Sequence, residues 1–212
     1  MSNSNAIEAL VADLVPVRRL SPRDGLVVAL GLMTVAVGVI ALRYGFRADI
    51  VAGHPAPIVL LRSGALLLLG FAAALAATAS ARPAVGPSSN GWLWALGAAL
   101  LFPASAAVLM IYEGTMPLEA LPGPMPLYCL GLSLAASVVI GTGLTLWLRR
   151  GASVALERAG WLVGLAAGAF GTFAYSCHCS SDSLHFIGIW YSLAVAMAAG
   201  LGRLIVPHLI RW

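Results

Sequence analysis

Charge is what this chain has least of. Only 9% of its 212 residues are charged and 60% are apolar, whereas a soluble domain carries about 25% charged residues. That balance excludes an ordinary soluble globule and points to the bilayer class. Lysine is absent altogether, so all twelve cationic side chains are arginines. The formal net charge of +4 does not argue for direct nucleic-acid binding, because the arginines are used to orient the chain in the membrane. Cysteine is scarce too: there are three, with no Cys-X-X-Cys pair, the spacing expected of a thiol–disulfide oxidoreductase. No apolar run has an Asp or Glu near its centre, and a proton relay or ion pathway ordinarily needs such groups. A membrane thiol–disulfide oxidoreductase or a soft-metal transporter therefore remains only an alternative, and the chain is not expected to be an enzyme.

What is present is a series of long apolar runs. A membrane-crossing helix needs about 20 mainly apolar residues. Six runs qualify, at roughly 25–42, 57–79, 91–111, 126–148, 158–176 and 184–206. They are separated by Pro, Gly, Asp and Arg punctuation such as Leu121-Pro-Gly-Pro124 and Arg149-Arg-Gly151. The expected fold is all-α: a polytopic membrane protein with a bundle of six transmembrane helices and a short N-terminal cytoplasmic helix. Residues 1–24 form the exposed segment and 25–212 the membrane domain. The first apolar run starts late, after a polar stretch, so the N-terminus reads as retained rather than cleaved.

Arginine placement sets the orientation. Arg18, Arg19, Arg23, Arg82, Arg149, Arg150, Arg158, Arg203 and Arg211 fall on one side, and Arg43, Arg47 and Arg62 on the other. The excess puts both termini in the cytoplasm of a bacterial inner membrane. Arg62, just inside the second run, reads as an interfacial anchor that snorkels outward and pairs with Asp49. Glu113 and Glu119 read as solvated loop residues. Gly160, Gly164 and Gly168 recur every four residues, a stripe that lets a neighbouring helix come close.

In this topology Cys129, Cys177 and Cys179 share one depth on the outer side. An oxidising periplasm would allow a disulfide between Cys129 and one of the other two, leaving an odd thiol as a candidate reactive group. Cys177-His-Cys179 offers soft ligands but not a recognised zinc spacing. His185 and Asp182 could add ligands to that run; no cofactor is required, and a soft metal ion would act as a signal. Cysteine as a small buried hydrophobe is the bland alternative.

The N-terminal segment holds a second pattern. Ile7, Leu10, Val11 and Leu14 recur at helical spacing, and Pro16 ends the run. Asp13 keeps this part acidic, whereas Arg18 and Arg19 lie against the membrane. Such a stripe is too short to fold alone and suits docking in a partner's groove.

Together these residues resemble the NrsF-type family of six-span bacterial inner-membrane anti-sigma factors, over essentially the whole chain. The marks are Leu10-Val-Ala-Asp-Leu-Val-Pro-Val-Arg-Arg-Leu-Ser-Pro22, Leu42-Arg-Tyr-Gly-Phe-Arg-Ala-Asp49, Cys129, Leu148-Arg-Arg-Gly-Ala152, and His178-Cys-Ser-Ser-Asp-Ser183 with Phe186, Trp190 and Tyr191 behind it. The chain closes on Arg211-Trp212. The resemblance implies a protein that sequesters an extracytoplasmic-function sigma factor through Ile7, Leu10, Val11, Asp13, Leu14, Pro16, Arg18 and Arg19. It implies release on heavy-metal or oxidative stress outside, with Cys129 and Cys179 as the family cysteines and, together with His178, the candidate metal ligands. Cys177 departs from that pattern. The oligomeric state is open.

Overall fold

The computed structural model describes residues 11–12, 20–81, 123–211 and scattered positions between 97 and 112. Every regular element among the described residues is helical. The long helices are α1 (Pro22–Tyr44), α3 (Pro57–Ala79), α4 (Pro124–Leu148), α5 (Leu156–Ser176) and α6 (Leu184–Leu209), with α2 (Ala48–Val51) a single turn after α1. α1, α3 and α4 each begin on proline, which lacks the amide hydrogen that a first turn leaves unbonded and has its φ already set. α1 ends at Gly45, whose φ of 83° is the left-handed conformation that glycine adopts without steric cost.

Four of these helices, α1, α3, α4 and α6, are long and apolar enough to cross a membrane. Four of the six expected spans are thus found among the described residues. The run at 91–111 falls mostly outside the described residues. The run at 158–176 does form a helix, α5, but its Gly, Thr, Ser and Tyr content leaves it short of the other four in apolar character.

α5 is short of apolar side chains because it is the centre of the fold. It packs against α1, α3, α4 and α6, and most of its length from Ala159 to Ser176 is buried. A helix enclosed by protein needs small surfaces rather than greasy ones. Gly160, Gly164 and Gly168 lie directly against the α6 backbone at Gly202, Ala198–Ala199 and Val195, so the glycine stripe is a packing device. Gly171 lies in the same way against Ser133 and Ser137 of α4. Outward-facing Val35, Val39, Leu42, Leu60, Leu68 and Ile205 are exposed, as expected of a face that meets lipid rather than water. Ser137, Thr142 and Thr145 of α4 turn their hydroxyls back to the carbonyls of Ser133, Val138 and Gly141 at 2.7 Å, which satisfies them where no water is at hand.

α6 has a discontinuity. Its turn Ile187–Tyr191 is a π-helix, wider than the α-helical Leu184–Phe186 before it and Ser192–Leu209 after it.

α1 and α5 run one way and α3, α4 and α6 the other, which defines two ends. At one end Leu20, Ala81 and Gly151 meet, and the Ala152 amide donates to the Ala81 carbonyl at 3.1 Å. Arg23, Arg149, Arg150, Arg158, Arg203 and Arg211 gather at this arginine-rich end. At the other end the α1–α2 turn is tied to the α5–α6 loop. The Arg47 amide donates to the Cys177 carbonyl at 3.1 Å. Its guanidinium donates to Asp49 at 2.8 and 3.0 Å, to Asp182 at 3.0 and 3.2 Å and to the Cys179 carbonyl at 2.7 Å. This is a two-carboxylate clamp with fork geometry.

Two outcomes follow from the packing and the clamp. Gly164→Val should cost about 1–3 kcal/mol or more and lower the melting temperature in detergent. Gly131→Val, with nothing within 4 Å of its Cβ position, should change it little; equal losses at both positions would discount the stripe. At the clamp, the Arg47 hydrogen bond holds the Asp49 carboxyl well below the usual carboxylate range, against the opposing effect of burial, and amide donors at Ala56 and Ile50 help. Folding therefore favours the ionised form, so this stabilisation is complete above an ordinary pKa of about 3.9 and is lost as pH falls through the depressed folded value. Asp49→Asn should melt below wild type at neutral pH, with the gap narrowing only below about pH 4. A gap that closes already at pH 6 would assign the effect to another group.

Candidate functional site

The clamped end is where the cysteines lie. α5 closes at Ser176 and the chain turns at once: the amides of His178 and Cys179 both donate to the Tyr175 carbonyl, at 2.9 and 3.1 Å. This single turn separates three neighbours that the sequence shows side by side. Cys177 points back along α5, its Sγ donating to the Phe173 carbonyl at 3.6 Å. Burial pushes its thiol pKa up, against the pull of Ser176 and Arg62. His178 faces outward: Nδ1 lies 3.0 Å from the Gly45 carbonyl, and the ring packs against Tyr44 and Tyr175 at centroid distances of 5.6 and 6.1 Å. Cys179 turns inward and is 4% exposed.

Cys129, on the first turns of α4, is fully buried and shares one apolar cluster with Cys179, Tyr175 and Tyr191. The Tyr175 hydroxyl lies close to both thiols, and Tyr191 lies close to Cys179. The Tyr191 and Ser133 hydroxyls face this cluster, yet neither has a partner of good hydrogen-bond geometry. All three cysteines are free thiols in this structure. The fold thus brings together the two cysteines that the family resemblance pairs and sets Cys177 apart.

The candidate metal ligands fare differently. Cys129 and Cys179 are neighbours, but His178 is turned outward to Gly45. Among the described residues, no three His, Cys, Asp or Glu side chains come close enough together to hold a metal ion. Two thiols alone give a soft ion two of the four ligands usual for zinc.

Arg62 corrects the sequence reading. It does not snorkel and does not pair with Asp49, which Arg47 takes. Arg62 is 1% exposed and lies under the loop. It donates to the carbonyls of Ser181 at 2.6 Å, Ser176 at 3.1 Å and Cys179 at 2.9 Å, and its guanidinium carbon lies 5.9 Å from the Tyr191 ring centroid. Two of its acceptors belong to the loop and the third to the last residue of α5, where a helix C-terminus favours a cation. Depth along a helix is legible in one dimension, but the direction a side chain takes is not. Tyr175 and Tyr191 gave no signal of their own, since an aromatic in a membrane run ordinarily reads as packing.

Of the proposed partner-binding stripe, Val11 is described and is helical and exposed. Ile7, Leu10, Asp13, Leu14, Pro16, Arg18 and Arg19 lie outside the described residues.

Comparison with known proteins adds the family. A family model described as "Negative regulator of sigma F" matches residues 10–212. The anti-sigma-F factor NrsF of Caulobacter vibrioides is 30% identical over 226 aligned positions that cover all of both chains. A probable anti-sigma-F factor NrsF of Azospira oryzae is 39% identical over 54 positions, about a quarter of each chain. No solved structure matches. With residues 10–212 matched by the family model and the whole chain covered by a relative 30% identical to it, the chain belongs to the NrsF family of negative regulators of sigma F.

Proposed function

We propose that this protein is an inner-membrane anti-sigma factor with both termini in the cytoplasm. It spans the bilayer six times, the runs at 91–111 and 158–176 completing the set with the four apolar helices. It holds a sigma factor of the extracytoplasmic-function type, akin to the sigma F that names its relatives, on the apolar stripe from Ile7 to Leu14 and the adjoining Pro16, Arg18 and Arg19. Cys129 and Cys179 are the stimulus-sensitive site on the periplasmic side, and their modification releases the sigma factor.

The observation that carries this reading is the burial of two thiols together at one end of the bundle, while the N-terminal segment enters at the other. Signal and output are then separated by roughly 30 Å of hydrocarbon. A two-electron oxidant such as a peroxide would take two electrons and two protons from the thiol pair, leaving a disulfide and, from the peroxide, two waters. A soft metal ion would instead displace the two thiol protons and bridge the sulfurs. Either product joins α4 to the α5–α6 loop. Transmission requires that the joined and unjoined arrangements differ in affinity for the sigma factor.

Two experiments test the two ends. At the cysteine end, Cys129→Ser and Cys179→Ser should each abolish induction of a sigma-dependent reporter by soft metal or peroxide. The double variant should be no worse than either single one, since the thiols act as a unit. Cys177→Ser, which alters a thiol pointing elsewhere, should retain most of the response. A wild-type response from the double variant would remove the cysteines as the sensor. At the cytoplasmic end, Leu10→Asp or Leu14→Asp puts into the stripe a charge that docking must strip of water. The reporter should become constitutive at unchanged protein level, and normal repression by both variants would dismiss this stripe as the docking surface.

A further inference from the structure

Arg62 is an unusual object in a membrane helix. Arginine presents five N–H donors and is charged at every accessible pH. A charge taken out of water ordinarily needs an opposite charge. Here the guanidinium is 1% exposed, and every hydrogen bond that it makes among the described residues goes to a main-chain carbonyl. Its Nε is buried without a partner. The side chain comes from α3, far from the cysteines in sequence, yet its acceptors are Ser176, Cys179 and Ser181, and its π-face neighbour is Tyr191 of the π-turn. One guanidinium therefore touches the end of α5, both sides of the loop turn and the wide turn of α6.

We infer that Arg62 is the positioning residue that holds Cys179 closed over Cys129, using the loop's own carbonyls as its counter-dipoles. Packing alone does little for this loop: Ser180 and Asp182 are exposed, Ser181 and Ser183 are half-buried, and the second tie, Arg47, grips it from its outer side. Arg62 grips it from beneath. The arrangement has two discrete states. With the loop down, the guanidinium has three acceptors. With the loop lifted, a buried cation loses them together and must draw in water or move, which displaces α3. A joint between Cys129 and Cys179 pulls on the residue that carries one of those acceptors. This inference rests on the reading that the cysteine loop receives the signal, and it names the side chain through which the loop engages a membrane helix.

The test uses the full chain in phosphatidylethanolamine–phosphatidylglycerol vesicles and follows alkylation of each cysteine separately by N-ethylmaleimide and mass spectrometry. In the wild type Cys177, which is half-exposed, should react ahead of Cys179. In Arg62→Gln the Cys179 rate should rise about tenfold or more, as expected when local opening becomes easier, while Cys177 stays within about twofold. Arg62→Lys keeps the charge and the stem but loses the planar fork, and should give a smaller rise, about threefold. It also serves as the readable variant if the glutamine form does not accumulate. A Cys179 rate within twofold of wild type in the accumulating variants would overturn the inference, and so would an equal rise at Cys177, which would mean general loosening. The alkylation result does not involve the sigma factor. A variant with a freed Cys179 and normal reporter control would uphold the role of Arg62 and count against the sensor reading.

Discussion

The close approach of α5 and α6 is the contact on which the remaining architecture depends. Where Gly160, Gly164 and Gly168 meet α6, the space a Cβ would need is taken mostly by main-chain atoms of Gly202, Ala198, Ala199 and Val195, so the two helices are in close contact. Lipid tails compete with any apolar side chain for an apolar surface, so association in a bilayer rests on fit more than on hydrophobicity. With α6 seated on one side, α5 keeps its other faces for α1, α3 and α4. Ser176 then ends α5 at a depth that leaves the following seven residues to reach α6 across the top of the bundle. The cysteine loop lies where it does because the helices beneath it are locked.

On that base two arginines divide the work at the loop. Arg47 is opposed by two carboxylates, and its partner Asp182 is exposed, so salt and acid reach the clamp. Arg62 is opposed by carbonyls alone and is sealed from both. The two ties therefore answer to different conditions although they share the Cys179 carbonyl as an acceptor. A loop held by one screened tie and one sheltered tie keeps part of its resting geometry over a range of ionic strength.

Much of this was legible before the coordinates. Proline at 22, 57 and 124 and the charged breaks mark where helices start and stop, because backbone chemistry at helix ends is local. The glycine stripe marks a contact face for the same reason. The pairing of Cys129 with Cys179 was available only through family resemblance, since nothing in the spacing of Cys-His-Cys says which of three adjacent side chains turns inward. That choice is made by the bifurcated use of the Tyr175 carbonyl. The apolar count found α5 but not its central place, because a helix wrapped by other helices carries small residues where its neighbours carry large apolar ones. Arg62 was placed at the right depth and assigned the wrong partner: Asp49 was the nearest carboxylate along the sequence, but in space Arg47 already occupied it.

The π-turn in α6 has a consequence for how the two ends of the molecule are phased. A π-turn accommodates one residue more than an α-turn, so the helix beyond it is rotated by about 100° relative to an uninterrupted α-helix. His185 and Phe186, which are buried under the loop, and Ala198 and Gly202, which are buried against α5, therefore belong to two separately indexed half-helices. Tyr191, beside both Arg62 and Cys179, is the last residue of the turn that joins them. The upper half of α6 meets the loop in one phase and the lower half rests on its glycine bearing in another, with Tyr191 at the seam.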